Sequence, residues 1–214
     1  MTIAARLTGV RERIARACDV AGRDPASVTL VAVSKRHPPA AIREAMAAGQ
    51  QVFGENYAQE LIAKAAEVEG ARWHFIGHLQ RNKAKGVLAT GAVIETVDSL
   101  RLLEELDKRA EAPVEVLLQV DVARESSKSG CAVEELSVLV AAARDAPLVK
   151  LRGLMTIPPV EGDPRPWFRA LRELAAEHAL PDLSMGMSAD LEIAVEEGAT
   201  IVRVGTAIFG PRPT

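Results

Sequence analysis

Apolar positions along the chain follow two alternating rhythms. Ile3, Leu7, Val10 and Ile14 fall at helical spacing and predict an opening amphipathic helix from about Ile3 to Ala21. Thr29–Ser34 then reads Thr-Leu-Val-Ala-Val-Ser, a nearly unbroken apolar run of β-branched character. Such a run predicts a strand buried on both faces, as in a parallel sheet. A helix is expected from about Pro39, since proline suits a first helical turn, and Gly49 closes it.

The alternation repeats. Gln51–Phe53 predicts a short strand, followed by a helix through Leu61 and Val68. Trp73–Ile76 predicts another strand, with a helix from about Asn82. Val93–Val97 leads to a helix near Ser99, a suitable N-cap ahead of Leu100, Leu103 and Leu106. Val114–Val120 leads through a polar loop to a helix over Val133–Ala143. Leu151–Met155, a helix over Trp167–Glu177, the short strand Leu183–Met185, a helix from Asp190 and the strand Ile201–Val204 complete the pattern. About eight strands, each but the last followed by a helix, predict an α/β protein with a parallel sheet. That number favours a single closed (β/α)8 TIM-like barrel. An open sheet is the alternative, because Gln51–Phe53 and Leu183–Met185 are short.

Composition narrows the class. Of 214 residues, 48% are hydrophobic and 26% charged, which excludes disorder, collagen and coiled coil. No Pro/Gly-rich linker or repeat divides the chain, so residues 1–214 are expected to form one domain. The formal net charge of −3 shows no basic excess for nucleic acid or anionic lipid. Cys18 and Cys131 are too few for a disulfide scaffold and do not form a CxxC pair, which points to a reducing cytoplasm. No run approaches the roughly 20 apolar residues of a membrane helix. Arg6, Arg11, Glu12, Arg13 and Arg16 leave no room for the apolar core of a signal peptide. No contiguous apolar stripe marks an interface, so a monomer is expected.

In a barrel, function gathers at the C-terminal strand ends. Lys35 directly follows the buried run of the first strand. Partial loss of hydration there favours the free amine, which can attack a carbonyl to form a Schiff base. Alternatively Lys35 is a strand-end lysine reaching solvent. Gly205 and Thr206 follow the last strand, where many barrels bind phosphate through backbone N–H groups. Ser188, ahead of the helix from Asp190, either caps that helix or donates to an anion at its start. A lysine on one strand end and a phosphate cup on two others suggest pyridoxal phosphate, an aldehyde with a phosphate handle.

Arg203 lies inside the last strand between apolar neighbours. It needs a carboxylate partner or a ligand acceptor, because an unpaired buried arginine is costly. Aimed at a pyridine nitrogen, it would donate and keep that nitrogen unprotonated, making the cofactor a weak electron sink. In Gly54-Glu-Asn-Tyr57, Asn56 can meet the cofactor's ring hydroxyl, although the motif reads equally as a helix N-cap. His74 and His78 straddle a strand and its turn, and no metal-ligand cluster is present, so no metal is expected. The GxGxxG and GxxxxGK[ST] fingerprints are also absent.

VAVSK at Val31–Lys35, FGENYAQE at Phe53–Glu60, WHFIGHLQRNK at Trp73–Lys83, SKSG at Ser127–Gly130, GLMTIPP at Gly153–Pro159, SMGMSAD at Ser184–Asp190 and VRVGTAIFG at Val202–Gly210 run in order along the chain. Together they closely resemble the pyridoxal phosphate homeostasis protein family, also called proline synthase co-transcribed-like proteins. The resemblance implies a barrel like the N-terminal domain of alanine racemase, holding pyridoxal 5'-phosphate as an internal aldimine. By position, Lys35 matches the Schiff-base lysine, and Ser188, Gly205 and Thr206 match the phosphate cup. Arg203 matches the residue facing the pyridine nitrogen, and Asn56 a ring-contacting asparagine. Lys128 matches a family lysine linked to cofactor exchange. Some relatives carry a second lysine shortly after the Schiff-base lysine; this chain has Arg36-His37 there, which puts any transfer route through such a lysine in doubt.

The resemblance implies a carrier or regulator of vitamin B6 and amino-acid pools, with apo-forms of pyridoxal phosphate-dependent enzymes as partners. Racemisation needs two proton-transfer groups on opposite faces of the substrate. Lys35 can serve one face. In the racemases the second base belongs to an additional C-terminal domain, and this chain ends four residues after Gly210. The expectation is therefore binding without efficient turnover. The alternatives are a low-activity racemase or related enzyme using Tyr57 or His78 as second base, and a barrel for another phosphorylated metabolite.

Overall fold

Eight parallel strands close on themselves in chain order, β1 (Thr29–Val33), β2 (Val52–Glu55), β3 (Arg72–Phe75), β4 (Val93–Val97), β5 (Val114–Gln119), β6 (Val149–Met155), β7 (Asp182–Ser184) and β8 (Ile201–Val204). β8 returns to pair with β1, with Val31 opposite Arg203. This computed structural model describes residues 1–124 and 129–211. Closure settles the choice between barrel and open sheet, and both short strands take part in it.

The helices are α1 (Ile3–Ala21), α2 (Pro39–Ala47), α3 (Ala58–Glu67), α4 (Ala84–Leu88), α5 (Leu100–Arg109), α6 (Leu136–Asp145), α7 (Arg165–Glu177), α8 (Leu191–Glu196) and α9 (Thr206–Phe209). α4 and α6 start two and three residues later than expected, and α7 two residues earlier. 3-10 turns at Arg81–Lys83 and Val133–Glu135 precede α4 and α6. The last strand is followed by a helix after all, the single turn α9, which is too short to show a period in the sequence. Ser99 occupies the N-cap position of α5 but makes no side-chain cap bond.

Strand alternation divides the core in two. One set of side chains packs under the helices, including Ala32, Phe53, Phe75, Ile94 and Leu118. The other fills the barrel, with Val31, Val52, Leu117, Met155 and Ile201 in mutual contact. Two residues further along β4 and β8, the same inner face carries Glu95 and Arg203. The apolar filling thus gives way to charge toward the C-terminal ends of the strands.

The opposite mouth holds a cavity of about 470 Å3 lined by Thr29, Arg72, His74, Glu115, Arg152 and Asp182, among others. Arg152 donates there to Glu115 at 3.2 Å and to Asp182 at 3.1 Å. Conserving a barrel's shape is the ordinary task of this end. Helix α1 packs against α2, α8 and α9 and so covers the seam where β8 meets β1. Arg13 of α1 grips Glu192 of α8 at 2.5 Å and the Ser188 carbonyl at 2.9 Å.

Candidate functional site

Strands β7, β8, β1 and β2 are consecutive neighbours around the barrel. β8 itself carries Arg203, and the segments leaving the C-terminal ends of the four strands carry Lys35, Asn56, Ser188, Gly205 and Thr206. Lys35 stands in the turn that leaves β1, two residues beyond Val33. It is half-buried. Asn56 leaves β2, and its Oδ1 is buried with no hydrogen-bond partner. The chain leaving β3 passes close to the Asn56 backbone. A Cβ on Gly77 would lie 1.9 Å from the Asn56 carbonyl oxygen, so only glycine lets the two loops pass this closely.

The chain leaves β7 through Gly186, whose φ of +92° lies in the region glycine favours. Its carbonyl accepts the Arg203 N–H at 2.9 Å. Ser188 does not cap α8. Asp190 stands at that N-cap, and its Oδ1 instead accepts the Met187 N–H at 2.6 Å. Ser188 lies in the turn before it, half-buried, with its carbonyl tied to Arg13. Gly205 is the N-cap of α9 and Thr206 its first residue. The first N–H groups of a helix lack intrahelical acceptors, so this turn offers donors to an anion. The N-cap reading of Asn56 is also corrected: Tyr57 occupies that position for α3.

Beneath the rim lies a connected buried network. Arg203 donates from Nη1 to Ser184 Oγ at 2.5 Å and from Nη2 to the Thr156 carbonyl at 2.9 Å. Ser184 Oγ donates to Glu95 Oε2 at 2.5 Å, and Glu95 Oε1 meets His74 Nδ1 at 2.5 Å. The guanidinium and carboxylate are 3.9 Å apart. Arg203 therefore has its carboxylate partner, mostly through a hydroxyl bridge. Burial pushes the Glu95 carboxyl up, but the His74 bond and charge, the Arg203 charge and the Ser184 bond outweigh it and hold the group below the ordinary glutamate range. Burial lowers the Arg203 pKa, against the opposing pull of Glu95 and Asp190. The result is a cationic donor fixed in orientation, with its charge balanced from below.

The chemistry of these groups matches a phosphorylated pyridine aldehyde. The Asn56 amide oxygen lacks a partner and suits a ring hydroxyl. Arg203 suits a ring nitrogen, the start of α9 with Ser188 suits a phosphate, and the Lys35 amine suits an aldehyde carbon. The residues present fit the group. The expected secondary exchange residue, Lys128, lies outside the described residues. Tyr57 and His78 flank the same mouth on the loops after β2 and β3, both exposed; His78 Nδ1 is 3.8 Å from Asp98.

The sequence gives Glu95 and Ser184 no role, and weighs His74 only as a metal ligand. A signal existed for Glu95, since Val-Ile-Glu-Thr-Val places a carboxylate in an otherwise apolar strand, as Arg203 stands in β8. The sequence likewise gives no role to Glu55 and Lys64, both buried against the segment that bears Lys35.

The alanine racemase N-terminal domain family matches residues 6–213. The pyridoxal phosphate homeostasis protein of Pseudomonas aeruginosa is 47% identical, with 99% of this chain and 96% of that protein covered. PipY of Synechococcus elongatus, solved with PLP bound, is 40% identical and superposes with a TM-score of 0.87, covering 98% of this chain and all of that one. Alanine racemase from Corynebacterium glutamicum shares the fold at a TM-score of 0.73 and 18% identity, with this chain spanning 61% of it.

Proposed function

The chain belongs to the pyridoxal phosphate homeostasis protein family, built on the alanine racemase N-terminal domain, and from that premise we propose that it holds pyridoxal 5'-phosphate as a Schiff base on Lys35 and carries it without efficient turnover. One observation carries this reading. Four neighbouring strand ends present, in one arc, an amine, an orphaned amide oxygen, a buried guanidinium and the free N–H groups of a helix start.

When bound, the cofactor supplies an electrophilic aldehyde carbon and a phosphate anchor. The Lys35 amine condenses with that carbon, forming one C=N bond and releasing one water with no redox change. Ser188, Gly205 and Thr206 hold the phosphate by hydrogen bonds, and Asn56 meets the ring hydroxyl. Arg203, locked by Ser184 and the Thr156 carbonyl, donates to the ring nitrogen and disfavours its protonation. An unprotonated ring withdraws electrons weakly, which suits retention better than carbanion chemistry. The whole of residues 1–214 acts as one carrier domain, monomeric and cytoplasmic in this reading, that delivers cofactor to apo-enzymes.

The exposed Tyr57 and His78 beside the mouth support a second reading, a low-activity amino-acid racemase. The experiment is visible absorbance before and after borohydride, followed by peptide mass spectrometry. A bleached band with the adduct on Lys35 is expected; a chain that stays colourless with added cofactor overturns the proposal. A chiral amino-acid assay on wild type, Lys35→Ala and Tyr57→Phe decides between carrier and enzyme. Turnover that depends on both residues would establish the enzyme.

A further inference from the structure

The backbone on either side of Lys35 is held from outside the barrel. Ser34, the residue before it, is fixed at three atoms. Its N–H donates to the Gly54 carbonyl at 3.0 Å, its hydroxyl to Glu55 Oε1 at 2.7 Å, and its carbonyl accepts Lys64 Nζ at 2.9 Å. Arg36, the residue after it, donates its N–H to Glu60 Oε2 at 2.8 Å. Lys64 Nζ joins the two grips, donating also to Glu55 Oε1 at 2.7 Å and Glu60 Oε2 at 2.8 Å.

The arrangement is costly and local. Glu55 and Lys64 are almost wholly buried, and Glu55 Oε2 has no partner. Burial pushes the Glu55 carboxyl above its ordinary range, against the Lys64 and Ser34 bonds. A buried ion pair of this kind is a poor source of net stability compared with apolar packing. What it holds is unusual. Arg36 has φ of +64°, a conformation that residues with a Cβ rarely adopt unless the surroundings impose it. All three side chains come from the single stretch Glu55–Lys64, with Glu60 and Lys64 one helical turn apart on α3.

We infer that Lys64, acting with Glu55 and Glu60, is a positioning residue for Lys35, pinning the Ser34–Arg36 backbone in the turn that presents the Lys35 amine to the barrel mouth. The inference rests on Lys35 being the amine that receives the cofactor. It assigns the two glutamates of the FGENYAQE motif, and the buried lysine beyond it, a task distinct from that of Asn56.

The test uses the full-length chain and two probes. Pyridoxal phosphate reports imine formation through its visible band. Pyridoxine phosphate, with an alcohol in place of the aldehyde, reports non-covalent binding through competition. Lys64→Met and Glu60→Gln are each expected to slow imine formation at least about tenfold while leaving pyridoxine phosphate affinity unchanged. Glu60 sits at the half-exposed edge of the cluster, so its variant retains the fold if Lys64→Met does not. Adding Arg36→Gly to Glu60→Gln is expected to recover part of the rate, because glycine takes the positive φ without a clamp.

Variants with wild-type imine formation overturn the inference. So does a parallel loss for both probes, which would make the cluster structural only. A wild-type chain that borohydride does not fix on Lys35 overturns the underlying cofactor reading and the clamp with it. Fixation on wild-type Lys35 with unimpaired variants overturns the clamp alone.

Discussion

Glu95 and Arg203 face each other inside the barrel across 3.9 Å, and the Ser184 hydroxyl bridges them, donating to the carboxylate and accepting from the guanidinium at 2.5 Å each. The charge of the arginine is thereby balanced from the side away from the mouth. Its orientation is set before any ligand arrives. Removing one partner of such a pair leaves an uncompensated buried charge.

Glu95→Gln should therefore cost about 3–5 kcal/mol of unfolding free energy. Denaturant titration of the apo chain measures this through the midpoint at unchanged slope. If Arg203 is the donor to the cofactor ring, the variant's bound-cofactor absorbance should shift as well. A stability loss below about 1 kcal/mol would show that the bridge is not a coupled charge pair.

The pH dependence of that loss has a definite sign. Glu95 is held below the ordinary glutamate range in the folded chain. Its contribution is therefore complete above the unfolded value of about 4.3 and is lost as pH falls through the lower folded value. The stability difference between wild type and Glu95→Gln should be flat above about pH 5 and narrow toward about pH 3. Thermal melts across that range check it, and a difference that widens on acidification contradicts the assignment.

Gly77→Ala should damage fold and site together. The added Cβ would sit 1.9 Å from the Asn56 carbonyl oxygen, a backbone atom that cannot rotate away. A cost of about 1–3 kcal/mol or more is expected, as for overpacking, along with weaker cofactor binding because Asn56 must shift. Paired melting and cofactor titrations measure both; a fully wild-type titration would remove Asn56 from the site.

Cys131 should be inert in the native chain. It is buried, and desolvation, with the Glu135 and Asp98 charges, pushes its thiol pKa up to about 12. Cys18 is also buried, and burial raises its thiol too. Iodoacetamide at mildly alkaline pH should label neither residue until denaturant is added. Fast labelling of Cys131 alone would show that its segment opens locally.

The sequence alone determined the repeating unit and several of its chemical ends. Eight apolar runs separated by amphipathic stretches specify parallel strands with helical crossovers, because period and burial are local properties of the chain. Lys35, Asn56 and Gly205 could be placed at strand ends for the same reason, and Arg203 stood out as a charge in an apolar run. Tertiary structure decided who meets whom. Ser184 and Glu95 are 89 residues apart, and only barrel closure brings their side chains together across the interior. Closure likewise places β7, β8, β1 and β2 in one arc. Nothing in the local sequence marks Lys64, and only the packing of α3 against the end of β1 buries it beside Glu55. Partner identity depends on register and on the direction of every intervening strand, and neither is written in any local stretch of residues.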